Sequence, residues 1–164
     1  MSEGEIDPAV LPLSELRDLR AGLQHDVDAI SFVRRLAQGR LDLVRAKERQ
    51  LAAGGAGPIT DSLAVTLARN IAGGVARPPR PVDDFSDHSL CADLDELGDR
   101  VDGVDVEAMD AAALSAYAAD LEGFEQARSE ERRQLFTQID ALSEELVRRY
   151  RNGEADLDEQ LAED

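Results

Sequence analysis

Tryptophan is absent, and only 2 tyrosines and 4 phenylalanines stand among 164 residues. So few large rings leave little to fill a thick globular core. A chain dominated by alanine, leucine and charged residues favours long helices instead, and a helical hairpin tolerates the shortage because it buries a continuous seam. The single cysteine, Cys91, excludes an internal disulfide and fits a reducing compartment. With two histidines, His25 and His88, it is too little for a transition-metal site. No apolar run approaches the length of a membrane span, and the acidic start Met1-Ser2-Glu3-Gly4-Glu5 is unlike a signal peptide. A cytoplasmic protein is the expectation. Positive charge is scarce: 18 Lys and Arg face 35 Asp and Glu, for a net charge of −17. Direct DNA binding needs a basic footprint and is not expected. An acidic surface suits a partner with a basic face, or simple solubility, and an anion would have to be held by a local arginine cluster. There is no P-loop, dinucleotide fingerprint or Ser-His-Asp order. The carboxylates lack a loop to gather them around a cation. No enzyme is expected.

The periodicity gives an all-α fold. Residues 1–12 read as a disordered arm ending at Pro12, and a long helix follows over 13–52. Its heptad a positions are Leu13, Arg20, Val27, Arg34, Leu41 and Glu48, and its d row, from Leu16 to Leu51, is apolar throughout. Gly54, Gly55, Gly57 and Pro58 end it. A short helix over about 61–72 carries Leu63, Leu67 and Ile71, and the polyproline-like Arg77-Pro78-Pro79-Arg80-Pro81 follows. A second short helix over about 87–98, started by Ser86 or Asp87, carries Leu90, Leu94 and Leu97, with Cys91 as a small packed residue. Both stripes are too short to stand alone and need the long helices or a partner to pack on. The second long helix spans about 106–150, with a positions at Ala118, Glu125, Arg132, Ile139 and Leu146. Asn152-Gly153 stops it, and 153–164 is an acidic, disordered tail.

Both long helices interrupt their apolar seam with the same polar pattern. The first carries Ser31, Arg34, Gln38 and Asp42; the second carries Glu125, Ser129, Arg132 and Asp140. Serine, arginine and aspartate recur at identical spacing, and a second arginine follows each time (Arg35, Arg133). At 3.6 residues per turn, positions 0, 4, 7, 11 and 15 of this pattern fall within an arc of roughly 80°. Each copy is thus one polar stripe, at positions a, e, a, e and b of its heptads, and the helices read as an internal repeat with short helices between the copies. Polar groups in a seam are costly unless something uses them. Arginine offers a planar fork for phosphate or for the acceptor edge of guanine, and a flat face for stacking on a base. Carboxylates match the paired N–H donors of guanine's Watson–Crick edge, while serine and glutamine add adaptable bonds. The set suits a guanine nucleotide. Antiparallel packing would relate the stripes by a local twofold axis, suiting a twofold ligand such as cyclic di-GMP (c-di-GMP). The connection of roughly fifty residues permits either helix direction.

At these residues the chain resembles the RsiG family of c-di-GMP-binding anti-sigma factors, whose motif is E-x-x-x-S-x-x-R-x-x-x-Q-x-x-x-D. Ser31, Arg34, Gln38 and Asp42 match the first copy, with Val27 in place of glutamate; Glu125, Ser129, Arg132 and Asp140 match the second, with Phe136 in place of glutamine. Val27 and Phe136 are given no ligand contact through the motif; Phe136 either stacks on a base or packs in the seam. The resemblance implies an antiparallel two-helix coiled coil with the short helices inserted. It also implies c-di-GMP held by Ser31, Arg34, Gln38, Asp42, Glu125, Ser129, Arg132 and Asp140. The implied partner is a sporulation sigma factor of the WhiG or flagellar class, kept from RNA polymerase and so unable to direct transcription.

Blander readings stand beside this one. An arginine at an a position is often a register device or a snorkelling side chain. Helix serines usually face solvent or bond back to the backbone, and Gln38, Asp42 and Asp140 taken singly are most simply solvated. Arg35, Arg128 and Arg133 are second-rank candidates, more suited to ion pairs than to ligand contacts. The alternative to an anti-sigma factor is a ligand-free coiled-coil adaptor whose polar seam fixes register. An intramolecular hairpin predicts a monomer before any partner binds. Light scattering coupled to chromatography checks this, and a dimer mass would point to intermolecular coils.

Overall fold

The computed structural model describes residues 7–55, 84–100 and 105–153. The short helix expected over 61–72 and the tail beyond Gly153 lie outside these residues. Among the described residues there are three α-helices: α1 (Leu13–Ala52), α2 (Ser89–Asp99) and α3 (Ala111–Arg151). No strand occurs among the described residues. The long helices α1 and α3 pack antiparallel, so that Arg34 meets Glu125 whereas Arg45, further along α1, meets the earlier Glu122.

Helix α1 matches the expected bounds. Its first turn is closed by Leu16 N–H donating to the Pro12 carbonyl at 3.0 Å. At its end Gly54 adopts φ 68°, a left-handed conformation that glycine alone enters at little cost, and its N–H donates to the Leu51 carbonyl. Helix α2 starts at Ser89 and is capped by His88, whose Nδ1 accepts from Leu90 N–H at 3.3 Å. Helix α3 begins at Ala111, not near residue 106 as expected. Asp110 caps it, accepting from Ala113 N–H at 2.8 Å. The apolar Val106, which made the helix look longer, sits buried in a turn that Asp105 closes by accepting from Glu107 N–H at 3.1 Å.

The chain forms two compact units. One is Ser31–Ser129, the other Met1–Ile30 with Glu130–Asp164. In the Ser31–Ser129 unit, α1 buries more than a two-helix seam. Ala37 and Val44 are d positions, whereas Val33 lies on the adjoining g row, and all are at most 1% exposed. Tyr117, on the g row of α3, is fully buried in the same cluster as Cys91, Leu94 and Leu97 of α2. The g row also ties α2 down by polar contacts: Arg40 donates to the Leu94 carbonyl at 3.0 Å and pairs with Asp95. Burial pushes the Cys91 thiol upward in pKa, and its Sγ contacts the Phe85 carbonyl at 3.2 Å. Thus α2 covers the g side of the helix pair.

In the other unit, Leu13, Leu16, Leu142 and Leu146 form the apolar core. Residues 7–12, read from sequence as part of the arm, carry a short 3-10 turn, Pro8–Val10. Arg149, at a d position of α3 and 7% exposed, holds this turn. Its guanidinium donates to the carbonyls of Leu11 at 2.6 Å, Pro8 at 3.1 Å and Ala9 at 3.0 Å, and to Glu145 at 2.7 Å. Hydrogen bonds from Arg148 and Arg149 bring the Glu145 carboxyl down to about 2. Removing a buried charge from such a set typically costs a few kcal/mol, because its acceptors lose their donors. Arg149→Ala should lower unfolding free energy by about 3 kcal/mol. Arg149→Lys should recover only part of that, since an ammonium lacks the fork. Urea titration checks both; a loss below about 0.5 kcal/mol for Arg149→Ala would show the clamp to be idle.

Candidate ligand-binding site

With α2 on the g side, the e side of the Ser31–Ser129 unit is where the first motif copy faces the start of the second. Glu125 occupies an a position, where an apolar knob is usual. Its Oε1 is the hub of a network drawn from both helices. Arg34 donates to it through Nε at 2.9 Å and also through Nη2, Gln38 donates through Nε2 at 3.3 Å, and Ser129 donates through Oγ at 2.9 Å. Arg34 and Glu125 are about four-fifths shielded from solvent, with side-chain exposures of 22% and 20%. Ser129 reaches Glu125 because residues four apart share a helix face. Arg34 and Gln38 reach it across the antiparallel seam for the same reason.

A groove of about 450 Å³ opens beside this hub, lined by Gln38, Leu41, Asp42, Arg45, Glu122, Glu125 and Gln126. Three motif residues thus share one concavity. Asp42 is exposed on its wall, and Ser31 is half-buried. Arg45 pairs with Glu122 across the e side. Neither Arg45 nor Glu122 was singled out from sequence, although both sit at e positions, where cross-helix ion pairs are common. The groove therefore carries the carboxylates of Asp42, Glu122 and Glu125 and the paired guanidinium of Arg45, with Arg34 bonded to Glu125 at its edge. That donor and acceptor set accommodates a polar ring edge and an anion if the ion pairs open.

The remaining motif residues belong to the other unit. Arg132 is half-buried, its guanidinium 4.6 Å from the centre of the Phe136 ring. Asp140 is exposed and lines a separate groove of about 580 Å³ with Ser143, Val147 and Arg148 among others. The second-rank arginines are placed differently from one another. Arg133 pairs with Glu130 one turn away, Arg128 lies 5.6 Å from the centre of the Phe124 ring, and Arg35 is exposed.

Arg34 is the main reason that the Glu125 carboxyl titrates below its ordinary 4.5, with Ser129 and Gln38 adding to the effect and partial burial opposing it. A carboxyl depressed in the folded state takes its proton later than the unfolded chain does as pH falls. The network's contribution is therefore complete above pH 4.5 and is lost as pH drops through the folded value. Wild type should exceed Glu125→Gln in stability near neutral pH, and the gap should close on acidification. Chemical unfolding of both proteins from about pH 7 to about pH 3 tests this; a gap independent of pH would mean that ionisation of Glu125 contributes nothing.

Comparison with known proteins adds one finding. No curated protein matches the chain. Residues 2–67, which include α1 and the whole first motif copy, match the family described as RsiG-like. The second motif copy lies beyond the matched stretch. By that match the first part of the chain is similar to the RsiG-like family, and the two long antiparallel helices each carry a copy of the polar pattern.

Proposed function

We propose that this is a regulatory, non-enzymatic anti-sigma factor that binds c-di-GMP through its two polar stripes and holds a flagellar- or WhiG-class sigma factor from RNA polymerase. The observation that carries the proposal is the convergence of Arg34, Gln38 and Ser129 on Glu125 beside a groove, in a chain whose first motif copy lies within an RsiG-like match. In the absence of nucleotide, Glu125 neutralises Arg34 and satisfies the seam. A guanine edge brings two adjacent N–H donors, and a phosphodiester brings an anion. The nucleotide thus supplies a new donor to Glu125 or Asp42 and a new acceptor to Arg34, an exchange of hydrogen bonds with little net loss. Arg132 and Asp140 contribute from the second stripe in the same roles, with Ser31 completing the polar set. The bound nucleotide presents phosphate and purine surface to the sigma factor, and it favours the complex by binding the sigma-bound state more tightly. The net charge of −17 complements a basic DNA-binding surface on the partner.

The closed Arg34–Glu125 pair also favours a second reading, in which the polar seam only sets the register of an adaptor. Calorimetric titration with c-di-GMP, with and without a flagellar-class sigma factor, separates the two. The anti-sigma reading expects binding in at least one condition. It expects Arg34→Ala to weaken binding at least tenfold while helix content by circular dichroism changes little, since a charge-assisted contact is worth about 1.5–3 kcal/mol. A folded protein that binds no nucleotide in either condition, or an Arg34→Ala variant that binds normally, would leave the register role.

A further inference from the structure

The two departures from the motif lie in different copies, so along the sequence each copy lacks one residue. The antiparallel register gathers both losses into one half. In the Met1–Ile30 with Glu130–Asp164 unit, Arg20 Nε donates to Ser143 Oγ at 2.8 Å, an a residue of α1 against an e residue of α3. One heptad onward in α1 and one heptad back in α3, the same relation sets Val27 at the level of Phe136. Leu13 and Leu146, which share an apolar cluster, give the same register for Val27 and Arg132, two heptads away on each helix. Val27 is 2% exposed, and Arg132 stacks at 4.6 Å from the Phe136 ring centre. In the Ser31–Ser129 unit the corresponding positions are Glu125, Arg34 and Gln38, and there Arg34 and Gln38 both donate to Glu125.

One half is therefore complete and polar, with glutamate, arginine and glutamine. Its counterpart is valine, arginine and phenylalanine. We infer that the two halves read a purine differently: the Glu125 half recognises the hydrogen-bonding edge of guanine, whereas the Val27–Arg132–Phe136 half accepts a purine by its face and is indifferent to its edge. The chemistry supports the division. A carboxylate fixed by three donors selects a base with adjacent N–H groups, and a site built for such bonds strongly rejects a base lacking them. An aromatic ring with a stacked guanidinium offers a flat, weakly discriminating surface, since every base has a π-face. Valine supplies no acceptor for a base edge. The ligand class widens accordingly to cyclic purine dinucleotides that carry at least one guanine.

This inference rests on the nucleotide-binding reading above, and the test separates their failures. Three cyclic dinucleotides are titrated calorimetrically under the condition that supports c-di-GMP binding: the di-guanine form, the mixed guanine–adenine form and the di-adenine form. The mixed form should bind within about threefold of c-di-GMP, and the di-adenine form at least tenfold more weakly. Phe136→Ala should weaken the first two by a similar factor of about ten, leaving their ratio unchanged. The double variant Val27→Glu with Phe136→Gln, if circular dichroism finds it folded, should favour c-di-GMP over the mixed form by at least about tenfold. A mixed form more than about tenfold weaker on wild type overturns the inference while leaving c-di-GMP binding intact. Normal binding of both ligands by Phe136→Ala overturns it as well. Wild type that binds none of the three overturns both the inference and the reading beneath it.

Discussion

A carboxylate stands in the seam of two helices, and the local architecture follows from how it is satisfied. Glu125 sits where an apolar side chain would pack, and a half-buried charge without partners would cost several kcal/mol. Two donors from the opposite helix and one from its own turn offset that cost, all converging on a single oxygen. Because Arg34 and Gln38 lie one turn apart, only one register of the antiparallel pair delivers both to Glu125. The polar cluster thus does for register what buried polar residues do in coiled coils generally, at some expense in stability. It also keeps acceptors and donors assembled beside a groove.

The division of faces follows from the short helix. Leu94, Leu97 and Cys91 of α2 need an apolar surface, and Val33, Ala37 and Tyr117 supply one on the g side. Arg40 fixes that docking by pairing with Asp95 and bonding to the Leu94 carbonyl. With the g side covered, the e side carries the groove, where Gln38, Asp42 and Glu125 lie. The arginines sort in the same way. Arg40 and Arg149 tie down neighbouring segments, while Arg34 joins the two long helices beside the groove.

Much of this was legible in the heptad pattern, because a and d residues repeat over five turns and more. The bounds of α1 followed from its apolar d row and from the glycines after Ala52. Helix direction did not follow from periodicity, since a connection of that length closes either way; it came from the motif resemblance and is seen in the Arg34–Glu125 and Arg45–Glu122 pairings. The late start of α3 was hidden because Val106 is apolar at helical spacing yet packs from a turn. The role of Arg149 was hidden because an arginine at a d position looks like an interruption, and nothing in the local sequence says that its acceptors are backbone carbonyls 138 or more residues away. The residues of the candidate site were picked from the sequence one by one. What the sequence could not reveal was that the glutamate of one copy serves the arginine and glutamine of the other. That pairing turns two apparently unrelated substitutions, Val27 and Phe136, into one altered half.

The central claim is that Arg34 and Glu125 are energetically coupled across the helix pair. A double-mutant cycle with Arg34→Ala, Glu125→Ala and the combined variant measures this in urea unfolding. A coupling of about 1–2 kcal/mol near neutral pH is the result expected for a shielded, charge-assisted pair. Additive effects, within about 0.3 kcal/mol, would mean that the two side chains do not hold the seam together.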